Sequence, residues 1–167
     1  MLIITELAEA LESHRKGKFS IGIKDGTYFW TEVEPKRKVL SHEDPEFKEW
    51  FEGLIKDSFE DEIADAYIRI LDAAGGYGIK LPALKPPDIE YRSVVMDNVG
   101  DRLIDISDDL IEAKNRTRRV EDPSVPLVTA LRKLEHLAHD FGFDLMTHVE
   151  LKLSYNLTRE RLHGKKY

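Results

Sequence analysis

The chain has 167 residues, long enough to bury a substantial core, and reads as one domain over 1–167. A net charge of −7 disfavours nucleic-acid backbone and anionic membrane as partners and suits a protein that gathers divalent cations. Cysteine is absent, which excludes thiolate metal sites, disulfides and cysteine nucleophiles. With no apolar run of membrane-spanning length, the expectation is a cytoplasmic protein.

Residues 2–16 place Ile3, Ile4, Leu7, Ala8, Ala10 and Leu11 on one face, which predicts an amphipathic helix. Glu6, Glu9 and Glu12 line its other side, and Gly17 is the expected stop. Over 19–33 the pattern changes to alternation around Asp25-Gly26, which predicts a small β-hairpin. A helix is expected over 45–56 from Phe47, Trp50, Phe51 and Leu54, breaking near Asp57-Ser58. Ser58 then caps the next helix, with Asp61 as its partner three residues on.

The helix expected over 58–76 organises the chain. Its apolar residues cover more than half the circumference, so it is mostly buried. The narrow remaining arc holds Glu62, Asp65, Arg69 and Asp72, a seam of carboxylates that repel unless a cation or solvent screens them. A solvated acidic stripe accounts for this segment taken alone.

The proline-rich run after Leu81 is a connector. Further amphipathic helices are expected over 99–114, 127–141 and 144–161, with a loop from Asn115 to Pro126 between the first two. On the last helix Lys152, Asn156 and Arg159 fall within about sixty degrees of one another on a helical wheel, a donor set suited to phosphate oxygens. A basic helix end answering the macrodipole is the plainer reading of the same residues.

Taken in order, ELAE at 6–9, KDSFEDEIAD at 56–65, IRILD at 68–72, YGIKL at 77–81 and KLSYNLTR with HGKKY at 152–167 resemble MazG-like nucleotide pyrophosphohydrolases. These belong to the all-α NTP pyrophosphatase superfamily. The resemblance implies a mainly α helical bundle of that type, with the hairpin as a small insertion. It further implies a Mg²⁺-dependent enzyme, with Mn²⁺ as an alternative metal, that hydrolyses (d)NTP to (d)NMP and pyrophosphate. Carried over residue by residue, the metal ligands are Glu6, Glu9, Glu62 and Asp65, with Glu9, Glu62 and Asp65 also catalytic. The substrate-binding residues become Lys56, Arg69, Lys152, Asn156, Arg159 and Lys165, and the proton acceptor is left open among Glu9, Glu12 and Asp72. The spacer between Glu9 and Glu62 is longer than the family usually shows, and relatives usually carry a helix before the first acidic pair. A homodimer or higher oligomer is therefore expected. Other readings of the same residues are a non-catalytic nucleotide- or metal-binding module and a narrower dUTPase- or dCTPase-like enzyme.

Overall fold

The computed structural model describes residues 2–20, 22–24, 27–29, 43–82 and 98–159. Among these the chain is mainly α, with helices α1 (Leu2–Arg15), α2 (Phe47–Leu54), α3 (Phe59–Gly76), α4 (Val99–Arg118), α5 (Ser124–Asp140) and α6 (Leu145–Leu157). Gly22–Lys24 (β1) and Thr27–Phe29 (β2) pair antiparallel, Gly22 opposite Phe29 and Lys24 opposite Thr27. The rest of the expected hairpin reaches residues outside those described, while α6 ends at Leu157 with Thr158 as its C-cap, short of the expected end near Arg161.

The central helix is α3, which packs against α1, α5 and α6, while α4 pairs with α5 and α2 leans on α6. Ile63, Ala66, Tyr67, Ile70 and Ala74 recur at helical spacing and are all buried, meeting Leu7 and Ala10 of α1 and Leu131, Leu134 and Leu137 of α5. A second, smaller cluster joins Phe47, Trp50, Phe51 and Ile55 to Leu151 and Tyr155 of α6. Within it the Phe51 and Tyr155 rings stack with centroids 4.4 Å apart.

The loop expected from Asn115 to Pro126 is shorter than the sequence suggests. Helix α4 runs on through Arg118, helped by the Glu112–Arg116 pair at 2.8 Å, and α5 already begins at Ser124. Pro126 sits in the first turn of α5, where its missing N–H forfeits no intrahelical bond. Asp122 accepts from both the backbone N–H and the hydroxyl of Ser124, which starts the helix and holds the Asp122 carboxyl below its usual range.

Four helix ends share one closing arrangement, with Gly17 after α1, Gly78 after α3, Val120 after α4 and Gly142 after α5 in the left-handed position. After α5, Phe143 N–H bonds to Ala138 O and Gly142 takes φ 71°, a conformation glycine adopts without steric cost. After α4, Glu121 N–H bonds to Arg116 O, yet the left-handed position is filled by Val120 at φ 60°.

The end of α1 is stitched to the start of α3. Ser13 Oγ donates to Asp57 O (2.9 Å), Phe59 N–H donates to Lys18 O (2.9 Å), and Ser20 N–H donates to the fully buried carboxylate of Glu60 (2.9 Å). These bonds fix the α1–α3 register, and with it the register of the acidic residues on each helix.

Candidate metal centre

The acidic face of α1 meets the acidic arc of α3. Ligand oxygens of Glu6, Glu9 and Glu62 lie within 4.8 Å of one another, with Glu6 and Glu62 buried and Glu9 exposed. Burial and the neighbouring acids push the Glu62 carboxyl up to about 8. Glu6 is raised for the same reasons, burial first and then Asp65. Carboxylates assembled this way disfavour their own ionisation unless a cation joins them.

Two basic side chains partly answer that charge. Arg69 brings Nε to 2.6 Å from Glu6 Oε1, a charge pair without hydrogen-bond alignment, and its guanidinium reaches Asp65 at 3.9 Å. From α6, Lys152 places Nζ 2.9 Å from Asp61 Oδ2 and 3.4 Å from Asp65 Oδ2. Burial works against the Lys152 charge, but Asp61 and Asp65 outweigh it and hold the ammonium above its usual range. Burial raises Asp61 in turn, despite the lysine.

Three of the four expected metal ligands, Glu6, Glu9 and Glu62, therefore converge. Asp65 lies alongside, close enough to raise Glu6, but its own carboxylate is engaged by Lys152 and Arg69. Of the expected substrate-binding residues, Arg69 and Lys152 stand at the centre. Lys56 lies 4.0 Å from Asp57 at its edge. Asn156 and Arg159 do not touch the carboxylates: Asn156 is exposed, and Arg159 lies over the Tyr155 ring, 5.5 Å from its centroid. Lys165 lies outside the described residues. Among the expected proton acceptors, Glu12 is exposed and pairs with Lys16 at 3.1 Å, and Asp72 is exposed, which leaves Glu9 within the cluster.

Asp61 belongs to the centre although the sequence marks it only as a capping partner. Its backbone N–H does bond Ser58 Oγ (3.2 Å), but its carboxylate accepts from Asp57 N–H and Lys152 instead of closing a capping box. The D-E-x-x-D run at 61–65 was the available signal.

One turn along the same seam, Ile3, Ile4, Ala73, Tyr77, Ile111 and Lys114 help line a largely apolar cavity of about 400 Å³. No helix among the described residues is long and apolar enough to cross a membrane. No family model, curated protein or solved structure matches the chain, so the functional reading rests on the geometry of the site and the sequence motifs.

Proposed function

We propose that the chain is a Mg²⁺-dependent nucleoside triphosphate pyrophosphohydrolase, cleaving (d)NTP to (d)NMP and pyrophosphate. The observation that carries this reading is the convergence of Glu6, Glu9 and Glu62 from two helices, with Lys152 brought in from a third. An all-carboxylate donor set suits a hard divalent cation and suits soft metals poorly. The buried, charge-raised state of Glu6 and Glu62 is what a site built around a cation shows when only protein charges balance it. Bound there, Mg²⁺ would neutralise phosphate charge and lower the pKa of water.

The chain's own residues then divide the remaining work. Lys152 and Arg69 turn from carboxylate to phosphate oxygens, for which an ammonium and a guanidinium supply charge-assisted donors. Glu9, the solvent-open carboxylate of the cluster, takes the proton of the attacking water. In-line attack at the α-phosphorus releases pyrophosphate. A homodimer belongs to this reading, supported by the exposed Ile4, Tyr77 and Ile111 that help line the apolar cavity. Light scattering at micromolar concentration tests it, and a monomer contradicts it.

The experiment for the activity is pyrophosphate release from a panel of ribo- and deoxyribonucleoside triphosphates, with Mg²⁺ and with chelator. Metal-dependent release supports the enzyme, and base preference within the panel separates a broad hydrolase from a dUTPase- or dCTPase-like one. No release from any triphosphate leaves a non-catalytic binding module as the reading.

A further inference from the structure

The apolar cavity at the far end of the α1–α3 seam has two cations on one wall. Its floor holds Leu110, Ala113 and Leu127, all buried, while Ile4, Tyr77 and Ile111 stand exposed around it. Helix α4 contributes Lys114, Thr117 and Arg118 to the lining. The Thr117 hydroxyl already donates to Ala113 O (2.9 Å). Lys114 and Arg118, four residues apart, are both exposed, and among the described residues neither pairs with a carboxylate.

Their neighbours are treated differently. Arg116 pairs with Glu112 at 2.8 Å, and Arg119 reaches both Glu112 (3.3 Å) and Glu121 (3.1 Å). The helix macrodipole accounts for a basic residue in the last turn of α4, and so for Arg118. It does not account for a second cation one turn earlier on the same face, where like charges repel. Acids are plentiful in a chain of net charge −7. Those of α4 are engaged elsewhere, for Asp105 and Asp109 hold Lys133, each at 2.7 Å.

We propose that this cavity binds a small amphipathic anion, its apolar body seated on Leu110 and Leu127 and its terminal carboxylate or phosphate between Lys114 and Arg118. An ammonium and a guanidinium supply charge-assisted donors to either head, and apolar walls strengthen the attraction by lowering the local dielectric. The volume of about 400 Å³ falls within the range of small-molecule pockets, about 300–1,000 Å³. The site is separate from the metal centre. Ala73, which lines the cavity, lies about 16 Å along the α3 axis from Glu62, and the Glu6–Arg69 pair stands between them. The inference therefore goes beyond the proposed reaction and does not depend on it. The second copy of the proposed homodimer would rest on the exposed rim and leave the concave interior to the ligand.

The test uses the full chain in chelator and two fluorescent probes, anilinonaphthalene sulfonate and phenylnaphthylamine, which is the same ring system without the sulfonate. The wild type should bind one sulfonate probe per chain. Lys114→Gln combined with Arg118→Gln should weaken that binding about tenfold, equivalent to about 1.4 kcal/mol, and leave the neutral probe unchanged. Both positions are exposed, so the variant keeps the fold. Octanoate or octyl phosphate should displace the sulfonate probe from the wild type at concentrations where octanol does not. The more effective of the two identifies the head group as carboxylate or phosphate. Failure of the wild type to bind the sulfonate probe overturns the proposal, as does unchanged affinity in the variant or equal weakening of both probes. Displacement by octanol as readily as by the anions also overturns it. So does probe binding that falls as the chain is concentrated into dimers, which would make the second copy the occupant.

Discussion

Glu62→Gln separates the cost of the acidic centre from its purpose. In the metal-free protein the Glu62 carboxyl is pushed from its ordinary 4.5 up to about 8, by burial first and then by Asp61. At about 1.4 kcal/mol per pKa unit, that rise corresponds to about 5 kcal/mol. Glu9 opens the centre to water, and screening there reduces the expected penalty to about 2 kcal/mol. The sign follows from proton binding. Below pH 4.5 both folded and unfolded chains hold the proton and the group contributes nothing. As pH rises toward 8 the unfolded chain ionises while the folded chain does not, so folding loses stability, and above about 8 the full penalty applies. Urea denaturation in chelator should therefore show Glu62→Gln more stable than wild type by about 2 kcal/mol at pH 9 and nearly equal at pH 4.5. Adding Mg²⁺ should reverse the order, because binding stabilises only the chain that keeps the ligand. A variant less stable than wild type in chelator at pH 9, or a difference that does not change with pH, would refute the electrostatic account.

Three further outcomes are expected. Lys152→Met should cost about 3–5 kcal/mol in urea denaturation, since it leaves the buried Asp61 without its cation; Asp61→Asn on the same background should recover much of the loss, and a cost under about 1 kcal/mol contradicts the pairing. Val120→Gly should stabilise the chain by roughly 0.5–1 kcal/mol, because a β-branched residue holds the left-handed position that ends α4; an unchanged or lower melting temperature counts against it. Burial pushes the His148 imidazole down to about 4, so the unfolded chain takes up a proton between pH 6.5 and 4 that the folded chain refuses. Stability should fall by about 3 kcal/mol across that window, relative to His148→Leu; a variant with the same acid sensitivity as wild type removes His148 as the cause.

The helices were legible because their periodicity is physical. An apolar arc covering most of α3 has no exposed solution, and the helix is buried accordingly. Gly142 marked the end of α5 for the same kind of local reason. Pro126 misled because proline suggests a loop, whereas the first turn of a helix accommodates it. At the site, Glu6, Glu9 and Glu62 were readable as spaced acids, but the Glu6–Arg69 contact depends on the register of α1 against α3, which no local pattern encodes. Lys152, Asn156 and Arg159 share a wheel sector, yet a wheel ignores rise along the axis. Arg159 stands about 10 Å further along than Lys152, beside Tyr155 rather than the carboxylates. Asp61 was hidden because one residue serves two purposes, its backbone in the cap and its carboxylate in the charge network.

The most direct test follows the atoms. Wild-type protein, Mg²⁺ and the best triphosphate of the panel are incubated in heavy-oxygen water, and the products are weighed by mass spectrometry. Attack at the α-phosphorus predicts one heavy oxygen in the nucleoside monophosphate, unlabelled pyrophosphate, and no product when Glu9 is replaced by Gln. Label in pyrophosphate or orthophosphate, or turnover that survives Glu9→Gln, contradicts the assignment of this centre as the site of pyrophosphate release.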